Sequence, residues 1–212
     1  MTDKRAVFRS FTLSGITQAA HHTPKAVIGF FSDEINRMLH LCKEDAMQGI
    51  VGAQLCVHQP YAFRIEGYPH MVDGAYVPST DTVHIAYPCD KREQAPILGR
   101  QSTEASTIGT FRHELAHRLI MREARVCHNW LEFIRIHSPD FSVVSEMCTQ
   151  EEGTLGSHAF CEMFAMWFNP LFNARNLDFE IVCWFAHNFP LRQNRAPVPC
   201  TARKVPPCPQ PA

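Results

Sequence analysis

Two histidines that stand four residues apart, inside a long helix-forming segment, constrain this chain more than any other feature. Residues 113–117 read His-Glu-Leu-Ala-His, and no proline or glycine interrupts residues 110–126. A spacing of four residues puts the imidazoles of His113 and His117 on one face of a helix. Two neutral imidazole nitrogens so placed can hold a tetrahedral zinc ion, with Glu114 beside the water that the ion activates. The spacing therefore predicts a metal site with hydrolytic chemistry, because zinc lowers the pKa of its water and a neighbouring carboxylate can move the proton.

The residues around this motif favour a real amphipathic helix. Serine and threonine at positions 102, 103 and 106 can cap its first turn. Apolar side chains then recur at helical spacing and form one stripe: Ile108, Phe111, Leu115, Leu119 and Ile120. The alternative is a helix with two unrelated histidines and an exposed glutamate, and the uninterrupted stripe favours the metal site over it.

Length and charge restrict the class of protein. The 212 residues fit one domain with tails. We expect a loosely attached N-terminal segment at residues 1–23, a domain at residues 24–189 and a proline-rich flexible tail at residues 190–212. A formal net charge of −1 gives no reason to expect nucleic acid or an anionic membrane as a partner. We expect the protein to act as a monomer.

The start of the chain and its cysteines bear on the compartment. The first residues lack the apolar core of a secretory signal, and no run of 18 apolar residues occurs, which predicts neither Sec-type export nor a membrane span. The nine cysteines are scattered and form no Cys-x-x-Cys pair. They indicate free thiols in a reducing compartment.

The hydrophobic pattern predicts an α+β protein. We expect a helix over residues 25–46, short strands over 50–58, 61–65, 75–77 and 82–87 in a small twisted sheet with one late hairpin, and a helical C-terminal part. The last strand precedes the metal helix, so Val83, His84 and Ile85 are candidates for pairing with an extended substrate. An ordinary sheet edge explains that strand equally well.

A second helix, predicted over residues 157–168, carries the remaining metal-competent residues. His158 and Glu162 are four residues apart on a helix that is otherwise apolar and that Pro170 ends. A catalytic zinc takes three protein ligands and keeps a fourth position for water. Either residue can supply the third ligand while the other orients a ligand. The alternative is a solvated polar stripe, which the apolar neighbours disfavour.

Three segments together resemble a known family. They are residues 74–85 (Gly-Ala-Tyr-Val-Pro-Ser-Thr-Asp-Thr-Val-His-Ile), the motif at 113–117, and residues 160–170 (Phe-Cys-Glu-Met-Phe-Ala-Met-Trp-Phe-Asn-Pro). They resemble the catalytic domain of anthrax lethal factor and its relatives, gluzincin-type peptidases that include the Pro-Pro endopeptidases. The resemblance spans about residues 74–188. It implies a zincin-like metalloprotease fold, one zinc ion, a protein or peptide substrate, and the hairpin strand as the edge that pairs with it.

The sequence departs from the family at the third ligand. Family members carry a Glu-x-x-x-Glu helix in which the first glutamate binds zinc and the second lies in the outer shell. Alignment through Glu162 puts His158 at the ligand position, where an imidazole can replace a carboxylate. In the rival register Glu162 binds the zinc and His158 lies nearby. Both registers remain open on the sequence, with His158 slightly favoured.

A second departure concerns the group that stabilises the oxyanion. The family places a tyrosine about two turns before the glutamate, whereas Glu151 stands there and no tyrosine follows Tyr87. His128, His137 and His187 are the candidate substitutes.

The sequence thus predicts a zinc metalloendopeptidase in which Glu114 activates water for attack on a protein substrate. The toxin-like domain and the reduced cysteines together predict an effector that is cytoplasmic or exported by a special route to work in a host cytosol. The rival hypothesis is a non-catalytic module with a zincin-like fold and a structural zinc. Glu114 favours the enzyme, because a binding module needs no carboxylate beside the water.

Overall fold

The structure is a computed structural model in which defined parts of the chain are described. They are residues 7–15, 24–42, 45–59, 63–66, 70–87, 106–141, 144, 157–174 and 177–192. The predicted tail therefore lies outside the described residues from position 193 onward.

The described residues form a mixed α+β fold around one four-stranded sheet. Its strands are β1 (Phe8–Gly15), β2 (Ala53–Gln59), β3 (Gly74–Val77) and β4 (Thr82–Ala86), in the spatial order β1-β2-β4-β3. β1, β2 and β4 run parallel, and β3 runs antiparallel to β4. The predicted late hairpin is confirmed as β3 and β4. Of the predicted strand at residues 61–65, the described part contributes only an isolated bridge between Phe63 and Val72.

The prediction of a loosely attached N-terminal segment is wrong for residues 8–15. Residues 8–15 are not loosely attached, because β1 pairs along its length with β2 and Phe8 is buried in the core. The strand was missed in the sequence because several of its residues are polar. Arg9, Ser10 and Thr12 face solvent, while Phe8 packs inward. A boundary at residue 24 would therefore cut through the sheet.

The described residues also form five α-helices. They are α1 (Pro24–Leu41), α2 (Thr107–Arg122), α3 (Ala124–His137), α4 (Ser157–Trp167) and α5 (Phe179–Asn188). The predicted first helix ends five residues early, at Leu41, and a 3-10 helix follows at Asp45–Ile50. α2 packs against α4 and also against β3 and β4, so the two helices with the candidate ligands share one interface.

The strand proposed to pair with substrate is an inner strand. Val83, His84 and Ile85 pair with β2 on one side and with β3 on the other. Both main-chain edges of β4 are therefore occupied, and the expectation that this strand is a free substrate-pairing edge is wrong. The error arises because a hairpin fixes only one neighbour of each strand, while the pairing of β4 with β2 joins residues far apart in the sequence.

Candidate metal centre

The helix that carries the His-Glu-x-x-His motif is well defined at its start. Ser106 caps α2, and its hydroxyl oxygen accepts a hydrogen bond from the backbone N–H of Gly109 at 2.9 Å. This satisfies one of the amide groups that the first helical turn leaves without a partner. The other predicted caps, Ser102 and Thr103, lie outside the described residues. The cap and the apolar stripe together place residues 113–117 in the middle of a regular helix.

Three histidines from α2 and α4 converge at the centre of the site. The Nε2 atoms of His113 and His117 are 3.1 Å apart, and the ring centroids of His113 and His158 are 4.7 Å apart. One ring nitrogen from each of the three lies within 4.8 Å of the other two. His113 and His158 are buried, whereas His117 is partly exposed, so His117 is the member of the cluster nearest to solvent.

Glu162 lies behind the cluster, against the far side of His113. Its Oε1 atom is 3.2 Å from Nδ1 of His113, the ring nitrogen that does not face His117. The same oxygen is 3.7 Å from Nε2 of His158. A carboxylate in this position favours the His113 tautomer that has its proton on Nδ1, which leaves the Nε2 lone pair directed at the cluster.

Electrostatics favour the neutral form of His117. Burial lowers the pKa of His117 well below its usual value, and the nearby rings of His113 and His158 lower it further. A neutral imidazole is the form that binds a metal. His117 therefore offers a lone pair rather than a positive charge near neutral pH.

The side chain of Glu114, on α2, lies close to Gly74 of strand β3. A methyl group at Gly74 would overlap the Thr110 side chain and come within 3.0 Å of Oε1 of Glu114. Only glycine therefore allows β3 to pass this close to α2 without displacing the Thr110 side chain and crowding that of Glu114. Among the described residues β3 pairs on one side only, with β4, so the strand beside Glu114 is a sheet edge.

Two buried ion pairs hold α2 on either side of the motif. Nε of Arg112 donates to Glu34 of α1 at 2.6 Å, and Nε of Arg118 donates to Asp81, in the turn between β3 and β4, at 2.7 Å. Sequence reasoning missed both pairs, because their partners are distant in the chain. One signal in the sequence could have indicated them: an arginine stands directly before the motif and another directly after it, on a helix predicted to be buried, where a charge needs a partner.

The donor set fits zinc. Two nitrogens bound to one tetrahedral zinc lie about 3.3 Å apart, given zinc–nitrogen distances of about 2.0–2.1 Å. The separation of 3.1 Å between the Nε2 atoms of His113 and His117 is close to that value. Three imidazoles leave a fourth position for water, as in catalytic rather than structural zinc sites.

The candidates for the oxyanion role are not among the residues that converge with the histidine cluster. His128 and His137 are exposed on α3, and His187 is exposed on α5. Glu151 lies outside the described residues.

Comparisons with protein families, with curated proteins and with solved structures find no match to this chain. None of the described helices combines the length and the apolar character that crossing a bilayer requires.

Proposed function

We propose that this protein is a zinc metalloendopeptidase. The observation that carries the proposal is the convergence of His113, His117 and His158, with the carboxylate-bearing Glu114 on the same helix beside a sheet edge. In this assignment the three histidines hold one zinc ion and Glu162 orients His113. A zinc ion so held would supply a Lewis acid that lowers the pKa of water to about 7.

Different parts of the chain perform proton transfer and substrate binding in peptide hydrolysis. Glu114 takes a proton from the attacking water and delivers it to the nitrogen of the leaving amine. β3, rather than β4, is the strand that binds an extended peptide, because its outer edge has unused main-chain groups among the described residues and lies beside Glu114. The partial exposure of His117 leaves a path for the substrate.

The zincin-like fold, the effector role and the host-cytosol location predicted from the sequence belong to this proposal and remain predictions. The non-catalytic alternative is less well supported, because a purely structural zinc has no use for an open side or for a carboxylate against the substrate edge.

Substitution of the proposed base tests this function. Zinc-loaded protein should cleave members of a random peptide library, with products identified by mass spectrometry. Glu114→Gln should retain zinc but cleave about 10²- to 10⁴-fold more slowly, because only proton transfer is removed. Glu132→Gln, on the exposed face of α3, is the matched control and should cleave at the parental rate.

Two results would overturn the proposal. Cleavage by Glu114→Gln at the parental rate would exclude Glu114 as the base. Zinc that stays bound in stoichiometric amount when His113 and His117 are both replaced by alanine would exclude the histidine cluster as the metal site. Cys56, which belongs to a separate group of metal-competent side chains on the sheet, is replaced by serine in the same variant so that only the cluster is tested.

A further inference from the structure

A second group of metal-competent side chains lies on the sheet, away from the histidine cluster of α2 and α4. Cys56 and His58 are alternate residues of β2, and His84 of β4 pairs directly with Cys56. All three are half-buried, whereas their neighbours Leu55 and Val57 are fully buried. Since successive residues of a strand face opposite sides, the three side chains share the face of the sheet that is turned away from the core.

The separations within this group match those of a tetrahedral metal site. Nε2 of His58 lies 3.0 Å from Nδ1 of His84 and 3.6 Å from Sγ of Cys56. For a tetrahedral zinc, two nitrogens lie about 3.3 Å apart and a nitrogen lies about 3.6 Å from a sulfur. One donor atom from each residue lies within 4.8 Å of the other two.

Neighbouring residues fix the orientation of the central ring. The hydroxyl of Ser14, on β1, lies 2.8 Å from Nδ1 of His58, in hydrogen-bonding contact. The ring of Phe63 stacks on His58 with centroids 3.8 Å apart and planes inclined by 11°. These contacts hold Nε2 of His58 toward Cys56 and His84, in the way that outer contacts orient metal-binding histidines.

We propose that Cys56, His58 and His84 form a second metal site, which binds zinc. A thiolate with two imidazoles is a donor set for zinc or copper rather than for magnesium or calcium, which prefer oxygen ligands. The ion ties β2 to β4, and its fourth position is open to water or to another ligand. The site shares no residue with the histidine cluster, so it does not depend on the proposed peptidase activity.

Cobalt(II) is the probe that separates the two sites. A thiolate bound to cobalt gives a charge-transfer absorption in the near ultraviolet, and the cluster of His113, His117 and His158 contains no thiolate. Metal-free full-length protein, kept reduced and titrated with cobalt, should show this absorption. Cys56→Ser should abolish it, whereas Cys127→Ser, at another partly buried cysteine, should keep it. Replacement of His113 and His117 by alanine should also leave it unchanged.

Further variants cover the case in which loss of Cys56 disturbs the fold. His84→Asn should remove the absorption while far-ultraviolet circular dichroism stays parental. Ser14→Ala should weaken cobalt binding about 10- to 100-fold, the effect typical of losing an outer hydrogen bond to a ligand. The proposal is overturned if the parent shows no thiolate absorption, or if Cys56→Ser and His84→Asn both retain it.

Discussion

His113 faces two partners with its two ring nitrogens. Nε2 is directed at His117, at 3.1 Å, and Nδ1 at Glu162, at 3.2 Å. In the proposed assignment Glu162 orients His113 and His158 is the third imidazole, which is the register that the sequence favoured slightly; the choice between the two registers stays a prediction. The local spacing on each helix was enough to select these residues, and the packing of α2 against α4 brings them together.

Zinc titration of two single variants tests these roles. We expect His158→Ala to remove most of the zinc affinity of the cluster, because one of three direct ligands is lost. Glu162→Gln should lose a smaller factor, about 10- to 100-fold, because it disturbs only the orientation of an imidazole. The titration is best made in a Cys56→Ser background, so that the second proposed site does not contribute, with His128→Ala on α3 as the exposed control.

The reverse order would make Glu162 the ligand. Equal and negligible losses in both variants would place the third ligand elsewhere in the chain, with Glu146, Glu151 and Glu152 as the next candidates.

Helix α2 is attached to the rest of the molecule by charges as well as by its apolar face. Asp81 is buried and receives two hydrogen bonds from Arg118, at 2.7 Å and 3.1 Å, and one from the Tyr76 hydroxyl at 3.1 Å. Arg118 also donates to the backbone carbonyl of Gly49. The turn between β3 and β4 is therefore bound to the helix one residue beyond the motif.

Replacement of Asp81 by asparagine should make the free energy of unfolding vary less with pH in the acidic range. Burial alone raises the pKa of Asp81, but the hydrogen bonds and positive charge of Arg118 outweigh it, and the net pKa lies below the usual 3.8. The ionised carboxylate therefore stabilises the fold fully above that pH, and this contribution is lost as the pH falls through the lower folded-state pKa. We expect Asp81→Asn to lower the free energy of unfolding at pH 7 by about 1.5–3 kcal/mol.

Urea denaturation at pH 7 and near pH 3 measures this effect. Asparagine tolerates the left-handed backbone of this position, where φ is 53°, so the substitution changes charge more than conformation. Asp33→Asn, at an exposed position of α1, is the control. A difference between parent and Asp81→Asn that stays constant with pH would show that the ion pair with Arg118 does not stabilise the fold.

Helices were predicted better than strand order for a physical reason. Burial of a helix face is visible within a few residues, so the helix predicted over residues 157–168 differs from α4 by one residue at its end. The neighbours of a strand are set by residues that are far apart in sequence. That is why β4 was expected at an edge, although β2 covers it, and why the approach of β3 to Glu114 at Gly74 could not be foreseen.

The N-terminal strand β1 packs against the core and pairs with β2. Phe8 is 6% exposed, and its ring centroid lies 6.2 Å from that of Phe111, on the helix that carries the metal cluster. β1 also supplies Ser14 to the group around His58. β1 thus contacts His58 of the second proposed site directly through Ser14, and it contacts the helix of the first proposed site through Phe8 and Phe111. A domain that began at residue 24 would lose both contacts.

Phe8→Ala tests whether this strand folds as part of the whole. Removal of a buried phenylalanine ring leaves a cavity and costs about 3–5 kcal/mol, so we expect the free energy of unfolding to fall by about that amount in urea denaturation. Ser10→Ala, at an exposed position of the same strand, should change it by less than about 0.5 kcal/mol. Parental stability in Phe8→Ala would mean that β1 lies outside the cooperative unit, as the sequence alone had led us to expect. A loss confined to Phe8→Ala, with a single unfolding transition seen by tryptophan fluorescence and by circular dichroism, would establish that β1 and the helices unfold together.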